Sequence, residues 1–175
     1  MDAVDRKILA ELQNDGRLTV TELAERVRLS VSPCHRRLRA LESSGAISGY
    51  RAQLHAPTLG LGFDALLFVT MRGSDRDTVR AFEAAVVEIP NVVEAQRLFG
   101  DPDYLLRVLT RDLAAFQELY DGRIAALPGV QRVSSTLVMK TVAENRPLPV
   151  QPTASASCDT RHSRSARHRG GGTGT

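Results

Sequence analysis

Several residue types are scarce in this sequence, and each scarcity excludes particular kinds of site or classes of protein. Tryptophan is missing, aromatic residues make up 5%, and the 175 residues include only two cysteines, Cys34 and Cys158. Because these cysteines lie far apart, neither a disulfide framework nor a zinc site built on paired cysteines is expected, and no metal site is predicted. No apolar run approaches the roughly 20 residues of a membrane-spanning helix, and the first residues lack a secretory-signal pattern. We therefore expect a cytoplasmic protein without a membrane partner.

The charge that is present is unevenly distributed. The chain carries 23 basic and 20 acidic residues, a net charge of +3, with a pI near 9.2, which mildly favours an anionic partner. Residues 1–60 hold 9 basic and 7 acidic side chains, residues 61–145 hold 9 and 12, and residues 146–175 hold 5 and 1. The last stretch has almost no large apolar residue, so burial cannot repay the entropy of ordering it. We expect a disordered basic tail over residues 144–175.

Three short helices are predicted within residues 1–60. Asp2 is placed to cap the first helix, and Thr19 with Glu22 forms a capping box at the start of the second. Ser32 is predicted to cap the third helix, with Pro33 at its first position, where a missing N–H costs nothing. Apolar residues recur at helical spacing and give each helix one buried face: Val4, Ile8, Leu9 and Leu12; Val20, Leu23, Ala24 and Val27; and Cys34, Leu38 and Leu41.

Residues 61–143 are predicted to form two similar β-α-β halves. Pro90 and Pro128 lie 38 residues apart, each in the turn before the second strand of its half. A duplicated β-α-β unit indicates a ferredoxin-like β-α-β-β-α-β domain with both helices on one sheet face, which makes the whole chain α+β. The predicted strands span residues 66–71, 93–99, 104–110 and 131–142, and the helices span residues 75–88 and 112–124.

The second face of this predicted sheet has no segment left to cover it. Leu67, Val69, Leu105 and Leu109 alternate with their neighbours, which is the pattern of strands that bury apolar side chains on one face. We therefore expect the uncovered face to pack on a second subunit.

The second and third predicted helices have the spacing of a helix-turn-helix, in which the second of the two helices enters the DNA major groove. Residues 26–41 hold five arginines and one histidine and no acid. A solvated helix face is the alternative interpretation of such a run, but the capped two-turn helix, the turn and the proline-started helix together favour DNA. We expect the basic tail to add only salt-sensitive, sequence-independent attraction to DNA.

Helical geometry and side-chain chemistry suggest roles for most of the basic residues of this segment. At 100° per residue Arg36 and Arg39 point away from the core stripe, so both are candidates for reading base edges. The start of the third helix favours a phosphate, and there the candidates are Ser32, Pro33 and His35, with Ser32 and His35 positioning the protein on the DNA backbone. Further candidate phosphate contacts, or ordinary surface arginines, are Arg28 and Arg37.

A series of short motifs runs in order and without an obvious gap over about residues 2–142. The motifs are DRKIL (5–9), LQNDGR (12–17), ELA (22–24), LSVSPC (29–34), RRLRALE (36–42), GAI (45–47), GY (49–50), GDPDYLL (100–106) and LPGV (127–130). With these motifs the chain resembles the Lrp/AsnC (feast/famine) family of transcriptional regulators.

The resemblance implies a winged-type helix-turn-helix, a linking strand near residues 47–54, and a ferredoxin-like domain that dimerises through its sheets and can assemble dimers into octamers. It also implies a regulator, often of amino-acid metabolism, that binds an amino acid near the glycine-aspartate turn and the last strand. The corresponding effector candidates here are Gly100, Asp101, Asp103 and Thr136. The same Gly-Asp-Pro-Asp stretch is also ordinary turn chemistry.

Two positions depart from the family pattern. Arg28 stands where the family usually has glycine in the turn between the helices, so either the turn tolerates strain of about 1 kcal/mol or its geometry differs locally. Pro102 replaces a residue that is commonly aromatic or large and apolar, and it stiffens the turn and removes one N–H.

Two other classes of protein are the alternatives to this interpretation. An enzyme needs a catalytic constellation, and none is found: the histidines are His35, His55, His162 and His168, and no nucleophile motif or phosphate-binding loop occurs. We therefore predict no catalytic residue and no cofactor. The second alternative is a ligand-sensing or assembly module of the same fold that lacks specific DNA binding, and the arginine-rich segment speaks against it.

Overall fold

The computed structural model describes residues 1–73 and 75–150 and divides the chain into two compact units. One unit is Met1–Arg51 together with residues 147–150, and the other is Ala52–Arg146. The sequence predicts the boundary after residue 60. The predicted tail lies outside the described residues from residue 151 onward.

The first unit is a three-helix domain whose helices begin where local capping chemistry allows. Helix α1 spans Ala3–Asn14 and α2 spans Val20–Val27. The Asp2 carboxylate accepts the N–H groups of Val4 and Asp5 at 2.9 Å, and Thr19 and Glu22 form the predicted capping box. Both predicted caps are confirmed. The helices enclose one fully buried core, made of Ile8, Leu23, Ala24, Val27, Cys34 and Leu41.

The third helix begins earlier than predicted. Helix α3 spans Val31–Ser43, with Ser30 in the cap position, so the assignment of Ser32 as the cap is wrong. The Cys34 N–H donates to the Ser30 carbonyl at 3.2 Å and closes the first helical turn. Pro33 is accordingly the third helical residue. The N–H at this position has no acceptor within the helix, so proline removes no helical hydrogen bond there.

The prediction of a linking strand near residues 47–54 is also wrong, because within the described residues this segment pairs with no strand. It is held on α3 instead. The Ile47 N–H donates to the Leu41 carbonyl at 3.2 Å, and the Tyr50 hydroxyl donates to Glu42 at 3.2 Å.

The second unit is an antiparallel sheet in the order β2-β3-β1-β4 with two helices. A 3₁₀ turn at Ala56–Leu59 precedes it. The strands are β1 (Phe63–Met71), β2 (Val92–Arg97), β3 (Tyr104–Thr110) and β4 (Val130–Leu137); the helices are α4 (Arg76–Val87) and α5 (Leu113–Leu119), which continues into a π-helical turn at Tyr120–Ile124. This order confirms the ferredoxin-like prediction.

Two strands end earlier than predicted, because their hydrogen-bonded pairing with the neighbouring strand ends there. Strand β2 ends at Arg97 rather than residue 99, since the next residues turn toward β3. Strand β4 ends at Leu137 rather than residue 142. The Val138 N–H still donates to the Asp64 carbonyl at 3.0 Å, but β1 begins at Phe63 and offers no partner further on.

Two of the apolar strand residues lie on the opposite sheet face from the one predicted. Leu67 and Val69 are fully buried beneath the helices, in a core with Phe82, Leu106 and Val108, so their assignment to the uncovered face is wrong. The opposite face, here called the open face, carries partly buried Leu66, Phe68, Leu105 and Leu109. The expectation for Leu105 and Leu109 is consistent with this arrangement.

Candidate DNA-binding surface and effector turn

Helix α3 presents two arginines on the side opposite its buried stripe. Cys34 and Leu41 are buried at 0% and 5% exposure, whereas Arg36 and Arg39 are exposed. Within the described residues neither guanidinium forms an ion pair. His35 and Ser32 are exposed near the start of the same helix, and Pro33 is partly buried there. The helix therefore offers planar donor groups that are free to meet an anion.

Arg37 lies on the same helix but is already engaged. Its Nη1 atom is 2.7 Å from Asp2 Oδ2 and 2.8 Å from Asp5 Oδ1, at the start of α1. The hydrogen bond from the Asp5 backbone and then the Arg37 guanidinium hold the pKa of Asp2 below its usual value. Arg37 thus fastens α3 to the capped end of α1, a pairing that helical periodicity alone does not reveal.

Arg28 occupies the turn between α2 and α3 in a left-handed backbone conformation, with φ 59° and ψ 49°. Its N–H donates to the Glu25 carbonyl at 3.1 Å, and the Leu29 N–H donates to the Ala24 carbonyl at 2.9 Å. This is the Schellman-type end that glycine normally serves. Of the two possibilities raised by the missing glycine, the structure shows a strained arginine in an ordinary turn.

Replacing Arg28 by glycine should therefore stabilise the first unit. Glycine adopts positive φ without steric cost, and we expect a gain of about 0.5–1 kcal/mol in the free energy of unfolding. Urea denaturation measured by circular dichroism checks this. Arg26→Gly is the matched control, because Arg26 has helical geometry and pairs with Glu11; that variant should lose stability. An Arg28→Gly protein less stable than the parent would contradict the expected strain.

The turn between β2 and β3 carries three of the four predicted effector residues. Gly100 has φ 136°, and the Leu98 N–H closes the turn on the Asp103 carbonyl at 2.7 Å. The Asp103 carboxylate accepts the Met71 N–H at 2.7 Å, and its own N–H donates to the Val69 carbonyl at 2.9 Å. Asp103 therefore ties the turn to β1, as plain turn chemistry would have it.

Asp101 is more exposed and is loosely held. The Thr70 hydroxyl donates to its Oδ1 at 3.2 Å, and Arg132 Nη2 lies 3.8 Å from its Oδ2. Thr70 and Arg132 are opposite one another on β1 and β4. The sequence does not reveal either residue as part of the site, because strand alternation places each side chain on a face but only the register places them beside Asp101.

Thr136 does not join this group within the chain. It faces Leu66 on β1, four residues along β4 from Arg132, and at about 3.3 Å per residue this is roughly 13 Å away. The structure thus brings Gly100, Asp101 and Asp103 together and leaves Thr136 apart.

A charged cluster on the open face was also missed. The Arg107 guanidinium meets the Asp64 carboxylate at 2.8 Å, Glu144 at 3.2 Å and Glu94 at 3.5 Å. The hydrogen bond to Asp64 raises the pKa of Arg107. A cavity of about 480 Å³ adjoins the cluster. The contact also shows that Glu144, within the predicted tail, lies against the sheet.

The described part of the chain offers no group of histidine, cysteine and acidic residues that could hold a metal ion. Among the helices in residues 1–73 and 75–150, none combines the length and apolar character needed to cross a membrane.

A three-helix unit with exposed arginines on its last helix, joined to a ferredoxin-like unit with a polar turn, defines a helix-turn-helix protein with a separate ligand-binding-type domain. Residues 1–48 match the winged helix-turn-helix DNA-binding model, and residues 64–148 match the Lrp/AsnC ligand binding domain. The chain belongs to the Lrp/AsnC family of transcriptional regulators.

Similar proteins agree with this assignment. The leucine-responsive regulatory protein of Rhizobium meliloti is 41% identical over 144 residues, which cover 82% of this chain and 92% of that protein. The proline dehydrogenase transcriptional activator of Rhodobacter capsulatus is also 41% identical, over 82% and 94%. A solved transcriptional regulator from Neisseria meningitidis, in complex with L-Met, has a TM-score of 0.82 and 39% identity, and the match covers 86% of this chain and 97% of that one. The predicted family, fold and regulatory function are therefore confirmed.

Proposed function

We propose that this regulator recognises a specific operator through α3 and responds to an amino acid bound near the turn at Gly100. The observation that carries the first half is the pair Arg36 and Arg39, exposed and unpaired in the described residues on the face opposite the core. The planar guanidinium of arginine pairs with the O6 and N7 atoms of guanine and so distinguishes guanine from other bases. A phosphate contact alone does not distinguish one base from another.

The remaining residues of the surface receive supporting roles. His35, Ser32 and Pro33 lie in the first turn of α3, where free N–H groups favour a phosphate. Arg28 is proposed as a phosphate contact from the turn. We leave Arg37 out of the contact set, because Asp2 and Asp5 already hold its guanidinium.

Selection of binding sites from a random pool of double-stranded DNA tests operator recognition. We expect one enriched sequence, bound more tightly than random duplex of equal length. Recovery of no enriched sequence would favour the alternative, a sensing or assembly module of this fold without specific DNA binding.

We infer that two chains pack through their open faces. Leu66, Phe68, Leu105 and Leu109 lie there only partly buried, and contiguous apolar surface of this kind favours association. A homodimer is the proposed unit, and octamers of four dimers are the higher assembly that the family resemblance implies. The molar mass from analytical ultracentrifugation measures both.

The effector proposal is supported by the turn chemistry and by the L-Met complex of the Neisseria meningitidis relative. The Asp101 carboxylate suits an α-ammonium group, and Arg132, 3.8 Å away, suits an α-carboxylate. Gly100 supplies backbone at an angle that other residues avoid. Asp103 supports the turn, and Thr136 would take part only from another position in the assembly.

Asp101→Ala should abolish the thermal shift that the cognate amino acid produces in the parent protein. The cognate compound is first found by screening the twenty amino acids, and the shift is then measured by differential scanning fluorimetry. Glu118→Ala, which removes an exposed carboxylate from α5, is the control and should keep the full shift. A shift that survives in Asp101→Ala, with the dimer intact, would refute the assignment.

A further inference from the structure

A groove between helix α4 and strand β2 is lined by residues that the proposed function does not use. It encloses about 410 Å³, a volume within the range of small-molecule sites. Phe82, Val86 and Tyr104 are among its lining residues, and each is at most 4% exposed. Val87 and Val93 also line it, yet they are 79% and 46% exposed. The groove therefore combines a buried apolar floor with two valines that are open to solvent.

A bulge in β2 adds to the apolar part of this groove. The register between β2 and β3 shifts between Val92 and Glu94, so Val93 is an extra residue without a partner on β3. Consecutive side chains of a regular strand lie on opposite faces of the sheet, but here Val92 and Val93 both line the groove. They join Val86 and Val87, because only residues 88–91 separate α4 from β2. Four valines therefore lie at the end of the groove nearest this turn.

The other end of the groove carries one acidic and one basic side chain. The Tyr104 hydroxyl donates to Glu83 Oε1 at 2.8 Å, and Arg97 Nη1 lies 3.9 Å from the same oxygen. A distance of 3.9 Å is too long for a hydrogen bond. Within the described residues Glu83 Oε2 accepts no hydrogen bond and the Arg97 guanidinium donates none. Both side chains are half-exposed and can meet a ligand.

Tyr104 fixes the position of the Glu83 carboxylate. Its ring packs against Phe82, with the ring centroids 4.5 Å apart. Burial and the Glu83 carboxylate raise the pKa of Tyr104 to about 12, so the hydroxyl keeps its proton near neutral pH and remains the donor. The strand register places Tyr104 directly beside Arg97. The acid and the base therefore flank one buried tyrosine.

We propose that this groove is a second ligand site, which binds an α-amino acid with an aliphatic side chain. Arg97 pairs with the α-carboxylate and Glu83 accepts the α-ammonium group, while the four valines bury the aliphatic side chain. A zwitterion fits because its two charges lie next to one another, as those of Glu83 and Arg97 do. A carboxylic acid alone would bring its charge close to Glu83, and an amine alone would bring its charge close to Arg97, and like charges repel.

The groove is separate from the turn proposed for the effector. Arg97 stands beside Tyr104, whose buried side chain belongs to the core beneath the helices. Asp101 instead contacts Thr70 and Arg132, which are paired across β1 and β4 and lie on the open face by strand alternation. The inference therefore goes beyond the proposed effector site and does not depend on it.

Equilibrium dialysis with isotope-labelled L-leucine, L-isoleucine and L-valine tests the groove in the full-length chain. The chain carries Asp101→Ala, so that the turn does not contribute. We expect at least one of the three amino acids to bind, with one molecule per chain. Adding Arg97→Gln should weaken this binding about 10- to 150-fold, because a charged hydrogen bond to the carboxylate is lost. Adding Glu83→Gln should also weaken it, although the glutamine oxygen still accepts from the Tyr104 hydroxyl.

Arg80→Gln is the matched control for Arg97→Gln. Arg80 is an exposed arginine of α4 that does not line the groove, so adding this substitution to Asp101→Ala should leave the affinity unchanged. Val87→Ser should weaken binding because it removes apolar contact area, whereas Ala84→Ser, at an exposed position outside the groove, should not. Isocaproate has the side chain and the carboxylate of leucine but no ammonium group, and it should bind more weakly than leucine.

Absence of binding by all three amino acids would overturn the proposal. Equal losses from Arg97→Gln and Arg80→Gln, in chains that circular dichroism shows to be folded, would also overturn it. Isocaproate bound as tightly as leucine would exclude an amino acid as the ligand class, since Glu83 would then contribute nothing.

The effector turn is judged separately from the groove. For an aliphatic cognate amino acid, the thermal shifts with and without Asp101→Ala are compared in the Arg97→Gln chain, where the groove does not contribute. Either site can then fail without the other.

Discussion

Arg36→Ala or Arg39→Ala is expected to reduce the preference for the selected operator over random DNA by about 5- to 150-fold. A bidentate arginine–guanine pair supplies about 1–3 kcal/mol of discrimination, and alanine removes it while leaving the phosphate contacts in place. The measurement is the ratio of the two dissociation constants at one fixed salt concentration, because affinity for random DNA itself changes with salt.

Two other arginines of the same unit serve as controls for this prediction. Arg28→Gly should weaken binding to both DNAs alike and make the salt dependence shallower, as expected for a phosphate contact. Arg37→Ala should lower the thermal stability, because Asp2 and Asp5 lose their partner, and should preserve the ratio. Equal losses on operator and random DNA for Arg36, Arg39 and Arg28 would remove the assignment of base recognition.

Gly129→Ala is expected to be the most destabilising single substitution considered for the second unit. Gly129 has φ 71°, and a Cβ atom there would collide with Thr78 Cγ2 on α4 and approach Met71 Cε on β1 to 2.9 Å. Positive φ and overpacking together should cost about 2–4 kcal/mol. For a unit of this size the midpoint of thermal unfolding should fall by roughly 10–25 °C.

Gly60→Ala separates the two contributions. Gly60 has a similar φ of 79°, but no atom lies within 4 Å of its added Cβ, so only the backbone cost of about 1 kcal/mol remains. Thermal denaturation of both variants, followed by circular dichroism, gives the comparison. Equal losses for the two substitutions would show that α4 moves away from Gly129 at no cost.

Much of the fold could be predicted because its signals are local. Asp2 and the Thr19–Glu22 pair cap the helices that the sequence assigns to them, since a cap needs only a side-chain oxygen near the first free N–H groups. The error at α3 has a local cause as well. Ser30 and Ser32 are both suitable caps by residue type. Ser30 occupies the cap position, since the first turn of the helix closes on its carbonyl.

The residues around Asp101 and Arg37 could not be found in this way. Arg37 meets acids that lie 32 and 35 positions earlier, and Asp101 meets Thr70 and Arg132 on two different strands. Such contacts depend on how α3 docks on α1 and on the register between β1 and β4. A period of two separates the faces of a strand, but it does not say which face the helices cover, and Leu67 and Val69 were misplaced for that reason.

The sequence by itself determined the order of helices and strands, the helix-turn-helix, the duplicated β-α-β halves and the outward direction of Arg36 and Arg39. These follow from capping, from periods of 3.6 and 2, and from turn residues, which act over a few positions. The tertiary structure decided which arginines of the described residues pair with acids, which sheet face remains open, and which side chains meet at Asp101. Those outcomes require segments distant in the chain to come together, and only packing brings them into contact.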